Sequence, residues 1–173
     1  MSDRYFPRQF LRHCNIAAVA GGAPPVLVGS PYCRVQGFGR NHPLAIPRVA
    51  TVLRRCEELG WVAESSLHEA PAADLASLVR FHDHEYVTAL RDADAAGQVT
   101  AAVRERFGFG TLENPLFPGV FTRAATAVGG SILAAELALD GRVVFHPAGG
   151  THHGRPGRAS GFCYFNDPVF AIL

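Results

Sequence analysis

The sequence predicts an α/β fold in which helices cover a parallel sheet. Two observations support this prediction: short apolar segments alternate with stretches that repeat apolar residues at helical spacing, and the strand-like segments are apolar throughout instead of alternating in polarity. Continuously apolar strands are typical of parallel sheets, because both faces of such a sheet are covered. The chain has 173 residues and is 48% hydrophobic, which is enough for a core of its own.

The chain divides into a short extension and one domain. Residues 1–24 mix charged and aromatic residues with Gly and Pro without sustained periodicity, so we interpret them as an N-terminal extension. The domain, residues 25–173, opens on a predicted strand at 26–28. After that strand, the Gly, Pro, Asn and His content of residues 29–46 indicates a surface loop.

Apolar residues at helical spacing mark much of the middle of the chain. A second strand is expected at 61–63, and helices are expected at residues 47–60, 72–79 and 84–96. The prolines and aromatic residues of 107–119 break this spacing and indicate an ordered loop packed on the domain. A long helix over 121–139 follows and stops at Gly141.

The C-terminal part is predicted to hold another strand and the start of a helix. Residues 142–145 have strand character, and residues 161–165 form a short strand or turn. Asp167 and Pro168 are a helix-start signal, with Asp167 as N-cap and Pro168 as first helical residue. Since the chain stops at Leu173 with no closing strand, we expect the fold to be truncated.

Charge and cysteine content exclude several classes of protein. Lys and Arg number 16 against 15 Asp and Glu, so the net charge of +1 provides no field that would attract nucleic acid or an anionic membrane. No segment approaches the roughly 18 apolar residues of a membrane span, and the apolar run at 16–20 is shorter than the about 7–15 residues of a signal peptide core. The four cysteines form no CxxC pair, which fits a reducing cytoplasm.

The best candidate site follows the predicted strand at 142–145. Ligands of open α/β sheets bind beyond the carboxyl ends of strands, and there the chain presents His152 and His153 between glycines. The two imidazoles converge only if the backbone turns sharply, which the glycines permit. An imidazole titrates near pH ~6.5 and can carry a proton from water to a leaving amine, which suits amide hydrolysis. The alternative is a polar surface loop without a role.

Two other candidate groups have a simpler interpretation. His82 and His84, together with Asp83 and Glu85, could hold a metal, but the pattern favours a helix start that these residues cap and solvate. Cys163 could be a nucleophile, but a small buried thiol is the more common case.

Four segments in chain order resemble the histone deacetylase family and its bacterial relatives, the acetoin utilization proteins and acetylpolyamine amidohydrolases. These segments are GRNHPLAIPRV, FHDHEYVTAL, TLENPLFPGVF and GGTHHGRPGRASGFCYFND. The resemblance covers roughly residues 26–173. It implies the N-terminal part of a three-layer arginase/deacetylase-like fold, and a hydrolase that removes acetyl groups from amines with zinc as cofactor.

The resemblance also implies roles for individual residues. His152 and His153 correspond to a general acid/base pair. Gly161, through its carbonyl, and Phe162, through its ring, would line the acyl channel. All four residues belong to the last of the four segments, which is the longest.

Two further residues match positions around the channel of the family. Glu113 takes the place of a rim aspartate that holds the substrate backbone, with one methylene more. Arg48 matches an arginine of an inner cavity, where an acetate product can pair with a guanidinium. The family's zinc ligands, an Asp-x-His segment and a later aspartate, have no counterpart in this sequence, so we expect no metal ligand here and no activity of the isolated chain.

Three hypotheses about function follow. The first is a deacetylase of this family, here as a fragment, that acts on an acetylated protein or a small acetylated amine. The second is a non-catalytic remnant that binds an acylated ligand or a partner. The third is an arginase-like metallohydrolase, which Phe162 disfavours because a guanidinium substrate needs carboxylates. The sequence indicates neither the substrate nor an oligomeric state.

Overall fold

The computed structural model describes residues 24–34, 37–39, 42–61 and 64–173. The N-terminal extension lies outside the described residues, apart from its last residue, Pro24. Residues 62 and 63 of the predicted second strand lie outside them as well.

The sheet of the described residues is parallel and has three strands. They are β1 (Val26–Gly29), β2 (Leu67–Glu69) and β3 (Val144–Phe145), in the order β2-β1-β3. Leu27 of β1 pairs with Leu67 on one side and with Phe145 on the other. The central strand is buried along its whole length, as its continuous apolar character predicts. The expectation of a parallel α/β fold is confirmed.

Helices surround this sheet. They are α1 (Arg48–Glu58), α2 (Leu75–Leu78), α3 (His84–Ala96), α4 (Ala101–Phe107), α5 (Val120–Leu139) and α6 (Asp167–Phe170). Five of these six agree in place with the predicted helices or with the helix-start signal. Short 3-10 turns lie at Pro31–Arg34, Pro43–Ala45 and Glu64–Ser66. No helix in the described ranges combines the length and the apolar character needed to cross a bilayer.

Three features of the elements differ from the sequence predictions. Strand β2 lies at Leu67–Glu69, where no strand is predicted, and helix α4 is not predicted at all because its few apolar residues do not repeat over two turns. Its signals are local ones: the side chain of Thr100 accepts the N–H of Val103, and Gly108 ends the helix at a φ of 76°. Asp167 is not the N-cap of α6, since Asn166 takes that position.

Helix α5 joins two apolar clusters. On one side, Leu133 and Leu137 pack against the buried residues of β1. On the other side, Val128 belongs to the main cluster, which includes the aromatic rings of Tyr86 and Phe165. The helix thus fixes the sheet relative to the segment that follows β3, and this segment carries the histidine pair.

Candidate active site

The segment between β3 and α6 turns sharply at the histidine pair. Isolated antiparallel bridges join Arg155 to Arg158 and Ser160 to Cys163, so of the two alternatives predicted for residues 161–165, a short strand or a turn, the structure has the turn. The imidazole rings of His152 and His153 have centroids 4.2 Å apart and planes inclined by 43°. The expected convergence of the two rings is present.

The hydrogen bonds of His152 indicate its tautomer. Its Nδ1 lies 3.0 Å from the carbonyl oxygen of Gly150. Because a carbonyl only accepts, Nδ1 carries the proton, and Nε2 of the neutral ring is left as a proton acceptor. Both histidines are exposed, so either ring is accessible to water or to a ligand.

A cavity of about 570 Å³ lies beside the pair. The lining includes Arg48, His146, His153, Gly161 and Phe162. His153 lies so close to Gly161 that a Cβ atom on this glycine would be 2.6 Å from Cγ of the imidazole. Four of the six residues that the resemblance assigns to the site therefore share one cavity, and these are Arg48, His153, Gly161 and Phe162.

Phe162 has a constrained backbone. Its φ is 68°, the one positive value of a non-glycine residue among those the structure describes. The left-handed region costs an L-residue roughly 1–2 kcal/mol, so the surrounding contacts must hold Phe162 there. His42 is one such contact, with its ring edge-on to Phe162 at 4.8 Å between centroids.

Glu113 stands outside the cavity lining. Its side chain is exposed, and its backbone carbonyl accepts a hydrogen bond from Nε2 of His42 at 3.1 Å. His42 also stacks on Phe38, with ring centroids 4.5 Å apart. The loop of Glu113 is thereby joined to the loop after β1. His42 is a residue that the sequence analysis did not single out, although it lies in the first of the four segments.

Arg48 is the first residue of α1 and lines the same cavity, although it lies about a hundred residues before the histidine pair in the chain. Its guanidinium donates to the carbonyl of Pro43 at 3.2 Å. The described residues of the cavity lining also include Arg123 but no carboxylate. The charge around this cavity is therefore cationic, which suits a neutral acyl group or an anion better than a cationic ligand.

Asp167 holds the turn that precedes the histidine pair. Its carboxylate is 1% exposed and accepts hydrogen bonds from the N–H of Gly150 at 3.0 Å and of Thr151 at 2.6 Å. The hydroxyls of Thr151 and Ser131 donate to the same carboxylate. This is why Asp167 does not cap its own helix. Its role depends on residues distant in the chain, so the local helix-start signal was misleading.

A second histidine of the lining, His146, connects to this carboxylate through Ser131. Since the hydroxyl proton of Ser131 is used by Asp167, Nδ1 of His146 donates to Ser131 Oγ at 3.2 Å. Burial lowers the pKa of His146, and the nearby charge of Asp167 acts in the opposite direction. His146 is therefore held neutral by its surroundings.

Cys163 is 7% exposed and donates its thiol proton to the carbonyl of Gly161 at 3.3 Å. Burial raises the pKa of this thiol. The interpretation of Cys163 as a buried thiol is confirmed, because a thiol with a raised pKa is a poor nucleophile.

A metal site would need three or more clustered ligands. Within the described ranges, no group of three His, Cys, Asp or Glu residues lies close enough to hold a metal ion. The residues present therefore do not fit a zinc site, and the metal alternative for His82 and His84 has no support in this part of the chain.

A family model, related sequences and a solved structure all relate this chain to one protein family. The family model of the histone deacetylase domain matches residues 42–173. The acetoin utilization protein AcuC of Bacillus subtilis is 33% identical over 150 residues, which cover 85% of this chain and 38% of AcuC. AcuC of Staphylococcus aureus strain MSSA476 is 38% identical over 132 residues, which cover 75% of this chain and 34% of that protein.

A solved structure extends this result to the fold. The crystal structure of a histone deacetylase homolog from Aquifex aeolicus superposes with a TM-score of 0.81 at 34% identity. The match covers 87% of this chain and 40% of the homolog, so the chain spans less than half the length of these relatives. The fold agrees with the parallel α/β arrangement that the resemblance implies. The chain belongs to the histone deacetylase domain family.

Proposed function

We propose that this chain supplies the proton-transfer part of a deacetylase site, which hydrolyses the amide of an acetylated amine. The observation that carries the proposal is the paired arrangement of His152 and His153, one of which lines the cavity beside Phe162. In this proposal the pair transfers protons between a water molecule, which attacks the acetyl carbon, and the amine that leaves.

His152 would act as the proton acceptor of the pair. Its Nδ1–H donates to the carbonyl of Gly150, which leaves Nε2 to accept a proton. His153 lies nearer the channel and is placed to protonate the leaving amine. Gly161 and Phe162 would hold the acyl chain, and Arg48 would pair with the acetate product. Glu113 would act at the rim, through a side chain that is free to reach outward.

Zinc, which the resemblance implies for a complete domain, has no ligand set among the described residues. We expect the isolated chain to show no turnover, because proton transfer alone lacks the electrostatic stabilisation of the oxyanion. The substrate class in the proposal is an acetylated protein or a small acetylated amine in the cytoplasm. The absence of carboxylates from the lining speaks against an arginase-like substrate.

A chimera tests the proposal. Residues 42–173 replace the matching segment of Bacillus subtilis AcuC, and the purified chimera and the isolated chain are assayed with zinc on an acetyl-lysine peptide and on N-acetylputrescine. We expect turnover by the chimera only, and loss of at least about 100-fold in kcat on His153→Ala, in the range for removal of a general acid or base. The matched control is His84→Ala, since His84 is exposed and is not among the residues that line the cavity.

Two outcomes would contradict the proposal. One is a folded, zinc-loaded chimera that binds the acetylated peptide but does not hydrolyse it, which would favour the non-catalytic alternative. The other is unchanged kcat in His153→Ala. Turnover by the isolated chain would instead contradict the expectation that its own residues do not suffice.

A further inference from the structure

The buried histidine His82 is not used by the proposed chemistry, yet it touches the loop of the histidine pair at both ends. It is 2% exposed and lies just before α3, 73 residues before its partner Arg155 in that loop. The sequence pattern favours a solvated helix start, and for His82 this is wrong. Four aromatic rings surround it: Phe81, Tyr86, Phe165 and Phe170.

Each ring nitrogen of His82 has a partner on a different arm of the loop. Nδ1 lies 3.0 Å from the carbonyl oxygen of Arg155 and 3.1 Å from that of Pro156. Nε2 accepts the backbone N–H of Asn166 at 3.1 Å. Since carbonyls only accept and the N–H only donates, the ring is neutral with its proton on Nδ1. The imidazolium would break the contact at Nε2, and the other tautomer would break the contacts at both nitrogens.

Asn166 carries the connection to the pair itself. Its side-chain amide donates to the carbonyl of His152 at 3.1 Å and to that of Gly154 at 2.9 Å. These two carbonyls flank His153 on either side, so Asn166 fixes the turn at that residue. Hydrogen bonds thus connect His82 to the backbone of Asn166, and the side chain of Asn166 to the backbone around the histidine pair.

We propose that His82, in its Nδ1–H tautomer, is a positioning residue that holds the two arms of the loop together and keeps His152 and His153 convergent. The alternative role, a buried histidine that only stabilises the core, predicts loss of stability without any change at the pair. The relevance of His82 to catalysis rests on the proposed function, but its positioning role is measurable without substrate.

The experiment uses the full chain with ¹⁵N-labelled histidine and compares His82→Leu with Tyr86→Phe. Tyr86 is the matched control because it is equally buried beside His82, and its hydroxyl donates to the carbonyl of Tyr164, outside the contacts that flank the pair. In the unchanged chain we expect ¹⁵N shifts of the Nδ1–H tautomer for His82 and a ring-to-ring nuclear Overhauser effect between His152 and His153.

In His82→Leu we expect loss of that Overhauser effect and a shift of both imidazole signals. Tyr86→Phe lowers the free energy of unfolding but leaves the pair unchanged. Because His82→Leu can fail to fold, Asn166→Asp is the second variant: it keeps the backbone contact with His82 and removes both side-chain donations, so the signals of the pair move while those of His82 stay.

The proposal is overturned by an Nε2–H tautomer in the unchanged chain, or by variants at His82 and Asn166 that leave the ring-to-ring effect intact. These results are independent of the chimera assay. An inactive chimera would contradict the proposed function but not the positioning role of His82. An unchanged ring-to-ring Overhauser effect in the variants would contradict only the positioning role.

Discussion

At the scale of single residues, the candidate site depends on close contacts between backbone and imidazole. Gly161 has a φ of 55°, and the ring of His153 lies where its Cβ would be. Phe162 follows in the same left-handed region, which a phenylalanine rarely adopts. Two successive left-handed residues turn the chain so that Phe162 reaches the cavity that His153 also lines.

Gly161→Ala is expected to displace His153. Its Cβ would lie 2.6 Å from Cγ of the imidazole, closer than any real contact. Gly97→Ala is the matched control, because Gly97 has a similar φ of 65° but open space around it. We expect Gly161→Ala to lower the free energy of unfolding by roughly 2 kcal/mol more than Gly97→Ala does, the cost of overpacking, as measured by urea denaturation. Equal losses in the two variants would mean that the imidazole moves aside freely.

At the scale of elements, α5 begins with a cap that comes from another helix. Gly119 at its start has no side chain, and Asp94, near the end of α3, accepts the N–H of Gly119 at 2.8 Å and of Phe121 at 3.0 Å. A carboxylate at this end also interacts favourably with the helix dipole. The contact ties α3 to α5, which are the two helices on which the main apolar cluster is built.

Asp94→Ala is expected to lower the free energy of unfolding by about 1–2 kcal/mol, since two N–H groups lose their acceptor. Asp92→Ala is the control on the same helix: this residue is exposed, and its ion pair among the described residues is with its neighbour Arg91, at 3.3 Å. Exposed pairs of this kind contribute about 0–1 kcal/mol. Chemical denaturation of both variants measures the difference, and an Asp94→Ala variant as stable as Asp92→Ala would show that water replaces the cap.

At the scale of the whole molecule, the buried His82 and the half-buried His146 link stability to pH. Burial lowers the pKa of His82 and of His146 below the ordinary value of 6.5. Their unfolded forms therefore bind protons first as the pH falls. The stability that depends on their neutral state is fully present above pH 6.5 and decreases as the pH falls below it.

The free energy of unfolding is accordingly expected to decrease between pH 7.5 and pH 5.5, as measured by urea denaturation at each pH. The lowered pKa of Asp74 acts only below its ordinary value of 3.8, outside this interval. In His146→Gln the free energy of unfolding should depend less steeply on pH, because one of the two titrating histidines is removed. A free energy of unfolding that is constant or rises toward pH 5.5 would contradict the assignment of His82 and His146 as neutral in the folded chain.

The sequence by itself determined the fold class, most of the helices and the place of the histidine pair. These features follow from local patterns: apolar periodicity specifies α5, continuous apolar character specifies β1, and the glycines around His152 and His153 specify a turn after β3. The resemblance added the residues of the channel, and the structure brings Arg48, His153, Gly161 and Phe162 to one cavity.

Only the tertiary structure decided what His82, Asn166 and Asp167 do. Each of them has partners far away in the chain, and their patterns near the start of a helix are equally compatible with a simple cap. Hydrogen-bond partners of a buried polar group are set by whichever segments fold against it, and local sequence does not encode that choice. The sequence predicts the histidine pair because the motif is local. The residues that hold the pair in place are identified only in the folded chain, because their partners are distant in sequence.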